Sequence, residues 1–368
     1  MAIKKDIKMT FTIWLLGTIF LIAVLLLVPT TFAAEGKLVN ATIHSPALEG
    51  NLLGDSANRD LIVYLPPSYA TSPKQRYPAV YLLHGSNSFP SVWTGGVPFI
   101  YEYFYKGFNI KTAMDKLVGE GKAKEIIFVM LDADNRLGGS WYLNSKTIGD
   151  YETYITKDLV SYIDTNYRTI AHRNSRGIAG FSMGGYGSMH LALKYPEVFS
   201  VVAAHAGHYD RDTSAWKIRL EYIALLNPKD FEEHSLLDIS GKSGFALAAA
   251  ISPNPAKPPF FLDKPFELVG DEVQAVPEVW KRYAEADIIH GHLDRYLKQP
   301  LRLNGIMIIH GTSDIFAPNQ GQVLDKVLIK LGIEHVYVEH DGQHHVLPNA
   351  DKWLQFLSDN LSLRYHQQ

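Results

Sequence analysis

Residues 180–196 read GFSMGGYGSMHLALKYP, and no other stretch restricts the fold as tightly. Gly180, Gly184, Gly185 and Gly187 crowd around Ser182, although each glycine inside a helix costs about 1 kcal/mol against alanine. The run before the serine, 177–181, reads as a short buried strand, and 182–194 reads as a helix. A serine held at a tight strand-to-helix turn needs neighbours without side chains, and the helix behind it must approach the sheet closely. Gly180-Phe181-Ser182-Met183-Gly184 fits G-x-S-x-G, the elbow that lifts a serine hydroxyl clear of a sheet. It also sets that hydroxyl at the electropositive end of a helix.

The rest of the chain repeats the strand-helix rhythm. Candidate strands are 61–65, 79–83, 125–131, 177–181, 199–204, 305–310 and 335–339, mostly short apolar runs bounded by turn residues. Helical patterns cover 151–167, 182–194, 320–331 and 350–361. This alternation predicts an α/β fold with a mostly parallel central sheet flanked by helices. Residues 210–299 break the rhythm with helical pieces, a proline-rich turn at 252–259 and no convincing strand, and are expected to form an inserted cap or lid.

The N-terminus carries Lys4, Lys5 and Lys8, then an apolar run from Phe11 to Val28, then the small-residue stretch Thr31-Phe32-Ala33-Ala34. It reads as a signal peptide over 1–33 cut after Ala33, leaving 34–368 as the catalytic domain in a secreted or cell-envelope location. The alternative is an uncleaved anchor over 11–28, and membrane association is expected only then. With 35 basic and 38 acidic side chains, the chain has no basic excess for nucleic acid. The lack of cysteine excludes disulfides, thiolate catalysis and cysteine-ligated zinc. Nothing in the sequence sets an oligomeric state.

A serine nucleophile requires a base and an acid that orients it, ordered serine, acid, histidine along this kind of chain. Asp314 follows the strand 305–310 in Gly311-Thr312-Ser313-Asp314, on the rim expected to carry Ser182. Asp210, after the preceding strand, is a rival acid. The loop Asp341-Gly342-Gln343-His344-His345 supplies the histidine, either His344 or His345. Two backbone N–H groups are expected to form an oxyanion hole, from Met183 directly after the serine and from Ser86 in the loop His84-Gly85-Ser86-Asn87. Trp141 and Tyr142 are expected to line a substrate groove, with plain aromatic packing as the alternative. His208 is a candidate pocket wall; His205-x-x-His208 lacks a carboxylate pattern, so no metal and no cofactor are expected.

The stretches YLLHGSN (81–87), GSWYLNS (139–145), YETYITKDLVSYIDTNYR (151–168), GIAGFSMGGYGSMHLALKYPEVFS (177–200), HGTSD (310–314) and DGQHH (341–345) resemble the esterase D-like branch of the α/β-hydrolases. That branch includes feruloyl and acetyl xylan esterases, S-formylglutathione hydrolase and mycolyltransferases. The resemblance implies an α/β-hydrolase fold with Ser182 as nucleophile, Asp314 as acid and His344 as base, His345 being the reserve. It implies an esterase of small-molecule or polysaccharide-linked esters, with acyl transfer to a sugar alcohol as the alternative chemistry. A third reading is an inactive binding protein on the same fold.

Overall fold

Four strands are buried at every residue: β3 (Ala79–Leu83), β4 (Ile127–Leu131), β5 (Arg176–Phe181) and β6 (Val201–His205). Such runs are stable only when covered on both faces. The computed structural model that shows this describes residues 35–363 except 96–102, 106, 213–214 and 347–349. The expected signal peptide, with its cut after Ala33, lies outside the described residues. Among the described residues no helix is long and apolar enough to cross a membrane.

Four further strands, β1 (Lys37–His44), β2 (Asn58–Leu65), β7 (Gly305–Gly311) and β8 (Val336–His340), complete an eight-stranded sheet. Its order is β1-β2-β4-β3-β5-β6-β7-β8. The pairs β1/β2 and β2/β4 are antiparallel, and all other pairs are parallel. Alternation along the strands sorts the core into two layers. Tyr81, Leu83, Val129, Ile178 and Val202 face one side with Met183, Met189 and Leu193. Val80, Leu82, Phe128, Ala179 and Val201 face the other, under Met114, Leu117, Trp353 and Leu357. Each buried aliphatic side chain contributes roughly 1.5–3 kcal/mol.

Among the described residues, the α-helical segments of ten or more residues are α1 (Ile110–Gly119), α2 (Met183–Lys194), α3 (Ala215–Leu225), α4 (Ile239–Ile251), α5 (Gln320–Lys330) and α6 (Ala350–Asn360), and 151–166 is a further helix interrupted by a π-turn. Asn109 caps α1 by accepting the Thr112 N–H at 3.1 Å, and Asp238 caps α4 by accepting that of Gly241 at 2.7 Å. The inserted region 210–299 holds α3, α4, short helices and a two-stranded hairpin, Phe266–Val269 with Glu272–Ala275. The expectation of no strand there is corrected by this hairpin, whose turn falls at Gly270-Asp271.

The glycines of the opening stretch seat α2 on the sheet. A Cβ on Gly180 would stand 2.1 Å from the Gly184 carbonyl oxygen, and one on Gly184 would stand 2.1 Å from that of Leu83 in β3. No side chain fits in either gap, so backbone packs on backbone.

The insertion is joined to α2 by buried polar contacts. Tyr186 Oη donates to the Ala286 carbonyl at 2.7 Å. A chain of hydrogen bonds then runs from Arg295 to His292 (3.2 Å), from His292 to His190 (2.9 Å) and from His190 to Glu152 (3.1 Å). Its polarity is fixed at both ends. Arg295 can only donate and Glu152, as a carboxylate, can only accept, so each histidine is neutral and donates through Nε2. Burial depresses the pKa of both, and burial also pulls His205 down to about 3.

Gly184→Ala is expected to lower the unfolding free energy by about 1–3 kcal/mol or more through overpacking. Gly119→Ala, in a helical position with nothing within 4 Å of the new Cβ, is expected to raise it by roughly 0.5–1 kcal/mol. Denaturant titration of the two variants checks the contrast. A histidine with a depressed folded pKa leaves the unfolded chain binding the extra proton below its own pKa, near 6.5, so stability rises with pH. Between pH 7.5 and 5.5 the protein is therefore expected to lose about 1 kcal/mol for each of His190, His205 and His292. His205→Asn is expected to flatten that slope by one proton.

Candidate active site

Parallel strands place their C-terminal ends on one rim, and the register aligns Leu83 with Gly180 and Phe181 with His205. Loops leaving this rim carry Ser86, Ser182, Asp314 and His344. Ser182 sits between β5 and α2 with φ 59° and ψ −116°, a conformation that costs a non-glycine residue about 1–3 kcal/mol. The surroundings hold it there: its N–H donates to the His205 carbonyl at 2.9 Å, and its carbonyl accepts from the Tyr186 N–H at 3.0 Å.

Asp314 and His344 form a buried pair. His344 Nδ1 lies 2.6 Å from Asp314 Oδ2, and the other carboxylate oxygen accepts the N–H groups of Phe316 and Ala317, both at 2.8 Å. Burial alone would push the Asp314 pKa up. The His344 imidazole outweighs it, with help from His310 and the Ala317 amide, and holds the carboxyl below its ordinary range. An acceptor-only carboxylate on Nδ1 fixes the proton there and leaves Nε2 as the acceptor nitrogen of the neutral ring. The His344 ring is boxed by Phe181 (centroids 4.6 Å apart), Phe316 (5.2 Å) and Phe104 (5.9 Å).

Ser182 and His344 line one narrow cavity of about 40 Å³, together with Ser86, Phe104, Phe181 and Phe316. The loop carrying Ser86 is rigidly held. Gly85 N–H donates to Tyr105 Oη at 3.0 Å, and Tyr142 Oη donates to the His84 carbonyl at 2.7 Å. His84 Nε2 accepts the Ala133 N–H at 2.9 Å, which leaves its proton on Nδ1 to donate to the Gly85 carbonyl at 2.8 Å. Met183 opens α2, where the first N–H groups have no acceptor within the helix. Ser86 lines the cavity beside Ser182, and Met183 follows the serine as the first residue of α2.

The remaining sequence candidates fall elsewhere. Trp141 and Tyr142 are 1% and 0% exposed and are absent from the cavity lining. The groove expectation for both is corrected to packing: Trp141 Nε1 reaches the Ser243 carbonyl at 3.3 Å, and Tyr142 holds the His84 loop. His208 is likewise buried behind the wall rather than in it, its ring tilted against Trp141 and Trp216. His345 packs against Tyr103, with ring centroids 5.0 Å apart, and it is His344 that reaches Asp314. Asp210 faces the insertion instead, with Oδ1 3.5 Å from His290 Nε2.

Ser88, Phe104, Tyr105 and Phe316 line the cavity without having been singled out in the sequence, and so do three residues of the insertion, Arg219, Ile239 and Ser243. The signal of the last three lay only in their position after the β6 rim. A lone arginine in a helix that mixes charged and apolar residues on all sides carries no motif.

Comparison with known proteins places this site in a family. Residues 56–256, over half of the chain, match the family model described as "Putative esterase". Esterase Rv1288 of Mycobacterium tuberculosis is 34% identical over 154 residues, covering 41% of this chain and 29% of that protein. The chain thus spans under a third of the length of this curated relative. Among solved structures, an S-formylglutathione hydrolase from Agrobacterium tumefaciens superposes with a TM-score of 0.56 at 18% identity, covering 91% of this chain and 99% of the other. A ferulic acid esterase from Anaeromyces mucronatus, in complex with ferulic acid, gives 0.53 at 16%, covering 89% and 92%. These likenesses bear on fold. The sheet order, the elbow and the family match together make this chain a member of the esterase family with the α/β-hydrolase fold.

Proposed function

We propose that the protein is a serine carboxylesterase that works through an acyl-enzyme. One observation carries the reading: the Asp314–His344 pair, closed at 2.6 Å, opens onto the same cavity as the strained Ser182. His344 Nε2 takes the Ser182 proton as Oγ attacks the ester carbonyl, and Asp314 stabilises the imidazolium. The N–H groups of Met183 and Ser86 receive the oxyanion. Collapse expels the alcohol, which takes the proton from His344. Water, deprotonated by the same imidazole, then attacks the acyl-enzyme and releases the acid and free Ser182.

Membership of the esterase family supports ester hydrolysis, and the family's feruloyl esterases support acyl or feruloyl groups on polysaccharide as the substrate class. A cavity of about 40 Å³ admits two or three waters' worth of ligand, which favours small acyl groups before any wall moves. Export by the 1–33 leader, and a covering role for the 210–299 insertion, belong to the same proposal.

A series of 4-nitrophenyl esters tests it. Acetyl and butyryl esters are expected to turn over faster than octanoyl, with feruloyl measured alongside. Ser182→Ala is expected to lose at least about 10⁴-fold in kcat, and Asp314→Asn about 10⁴-fold. His344→Ala is expected to abolish turnover while His345→Ala retains it. Loss of activity in His345→Ala alone would reassign the base, and full activity in Ser182→Ala would end the proposal.

A further inference from the structure

Among the described residues, Arg219 is the one cationic side chain lining the cavity that holds Ser182 and His344. It comes from α3 in the insertion and is partly buried. Its two hydrogen bonds go to neutral acceptors: Nη1 donates to His208 Nε2 at 3.1 Å and Nη2 to the Phe316 carbonyl at 3.2 Å. Among the described residues none of its hydrogen-bond partners is a carboxylate. Asp314, the acid that faces it electrostatically, already has both oxygens taken by His344, Phe316 and Ala317.

This arrangement is costly. A guanidinium removed from water without a counter-ion forfeits hydration that neutral acceptors only partly replace. Burial lowers the Arg219 pKa to about 10, which leaves it fully charged at neutral pH. Burial, and after it the neighbouring arginine, also keeps His208 neutral, so the imidazole can accept the guanidinium N–H. The loop that accepts the second bond is the one carrying Asp314. The fork is thus positioned by the fold, and it has five N–H donors of which these two bonds use two.

We infer that Arg219 selects esters carrying an anionic group, a carboxylate or phosphate, within a few bonds of the scissile carbonyl. The inference rests on Ser182 being the attacking residue, and it adds the charge of the substrate. A planar fork pairs with such an oxyanion through two parallel hydrogen bonds, shorter and stronger than neutral ones. The anion would complete the ion pair that the fold leaves unmade. Arg219 is then a specificity-determining residue, and an ester without a charge meets a cavity containing an unpaired cation.

Two matched pairs of phenyl esters test this and locate the anion. Phenyl hydrogen succinate against phenyl butyrate places the carboxylate on the acyl side. The pair 3-acetoxybenzoate and phenyl acetate places it on the alcohol side. Affinities are read by ligand-observed NMR titration of the full-length Ser182→Ala protein, which binds without turnover. In at least one pair the anionic ester is expected to bind about tenfold tighter or more. That preference is expected to vanish in Ser182→Ala/Arg219→Gln and to survive in part in Ser182→Ala/Arg219→Lys, a variant that keeps the charge if the glutamine protein folds poorly. Equal binding within both pairs, or a preference that Arg219→Gln leaves unchanged, overturns the inference. Hydrolysis by the wild-type protein is measured in parallel. An anion preference with no hydrolysis of any ester would support the anion site while ending the esterase proposal, so the two failures are distinguishable.

Discussion

The site depends on a contact between backbones. Helix α2 lies so close to β3 and β5 that Gly180 and Gly184 leave no room for a methyl group. This approach has a direct consequence at the residue between them. To leave β5 and enter a helix seated that low, the chain must turn within one residue, and Ser182 takes the positive φ that the turn demands. Strain of this kind persists only where the surroundings over-determine it. Here the His205 carbonyl on one side and the first turn of α2 on the other supply that constraint. The hydroxyl is therefore fixed by packing, with no contribution from any hydrogen bond of its own side chain to the helix end.

The polar groups around the serine follow a single rule. Each buried imidazole that must accept a hydrogen bond is kept neutral by burial, and each buried carboxylate that must accept is kept ionised by its donors. His84 and His208 illustrate the first case, Asp314 and Glu152 the second. The outcome is a set of one-way donors and acceptors in which each tautomer is dictated by its neighbours. His344 is the member that lines the cavity beside Ser182, and its pairing with Asp314 through Nδ1 is what supports the proposed base.

How much of this could be read from the letters depended on whether a residue's role was local. Strands β3 to β7 were legible because burial on both faces writes a nearly uninterrupted apolar run, β2 and β8 were legible in part from the stretches 61–65 and 335–339, and the elbow was legible because close approach demands glycine in a fixed pattern. Strand β1 was not seen, since an edge strand reading KLVNATIH buries little and alternates weakly. Helix α1 was overlooked despite a signal, Asn109 followed by Ile110, Met114 and Leu117 at helical spacing. The hairpin at 266–275 carried its own Gly-Asp turn. Trp141 and Tyr142 could not be placed by sequence, because the same aromatic pair suits a groove or a core. Only tertiary packing decides, and positive φ at both residues turns them inward. His344 and His345 are equally reactive as letters, and the direction each side chain takes from the loop separates them.

The insertion and the elbow are tied together through α2. Helix α2 bears the serine at its N-terminal end and His190 near its middle, while Tyr186 between them holds the Ala286 carbonyl. The insertion that supplies His292 and Arg295 also supplies Arg219 and Ser243 to the cavity wall. Swinging the whole insertion away would break the Arg295–His292–His190–Glu152 chain and leave buried donors unpaired, at a cost of about 1–3 kcal/mol for each group. Helix α3 is anchored as well: Trp216 is buried against Trp141 and Tyr186, and Arg219 is held by His208 and the Phe316 carbonyl. The charged residue facing the serine is therefore set by the same packing that seats α2, and the insertion bears on the cavity through side chains fixed from both sides.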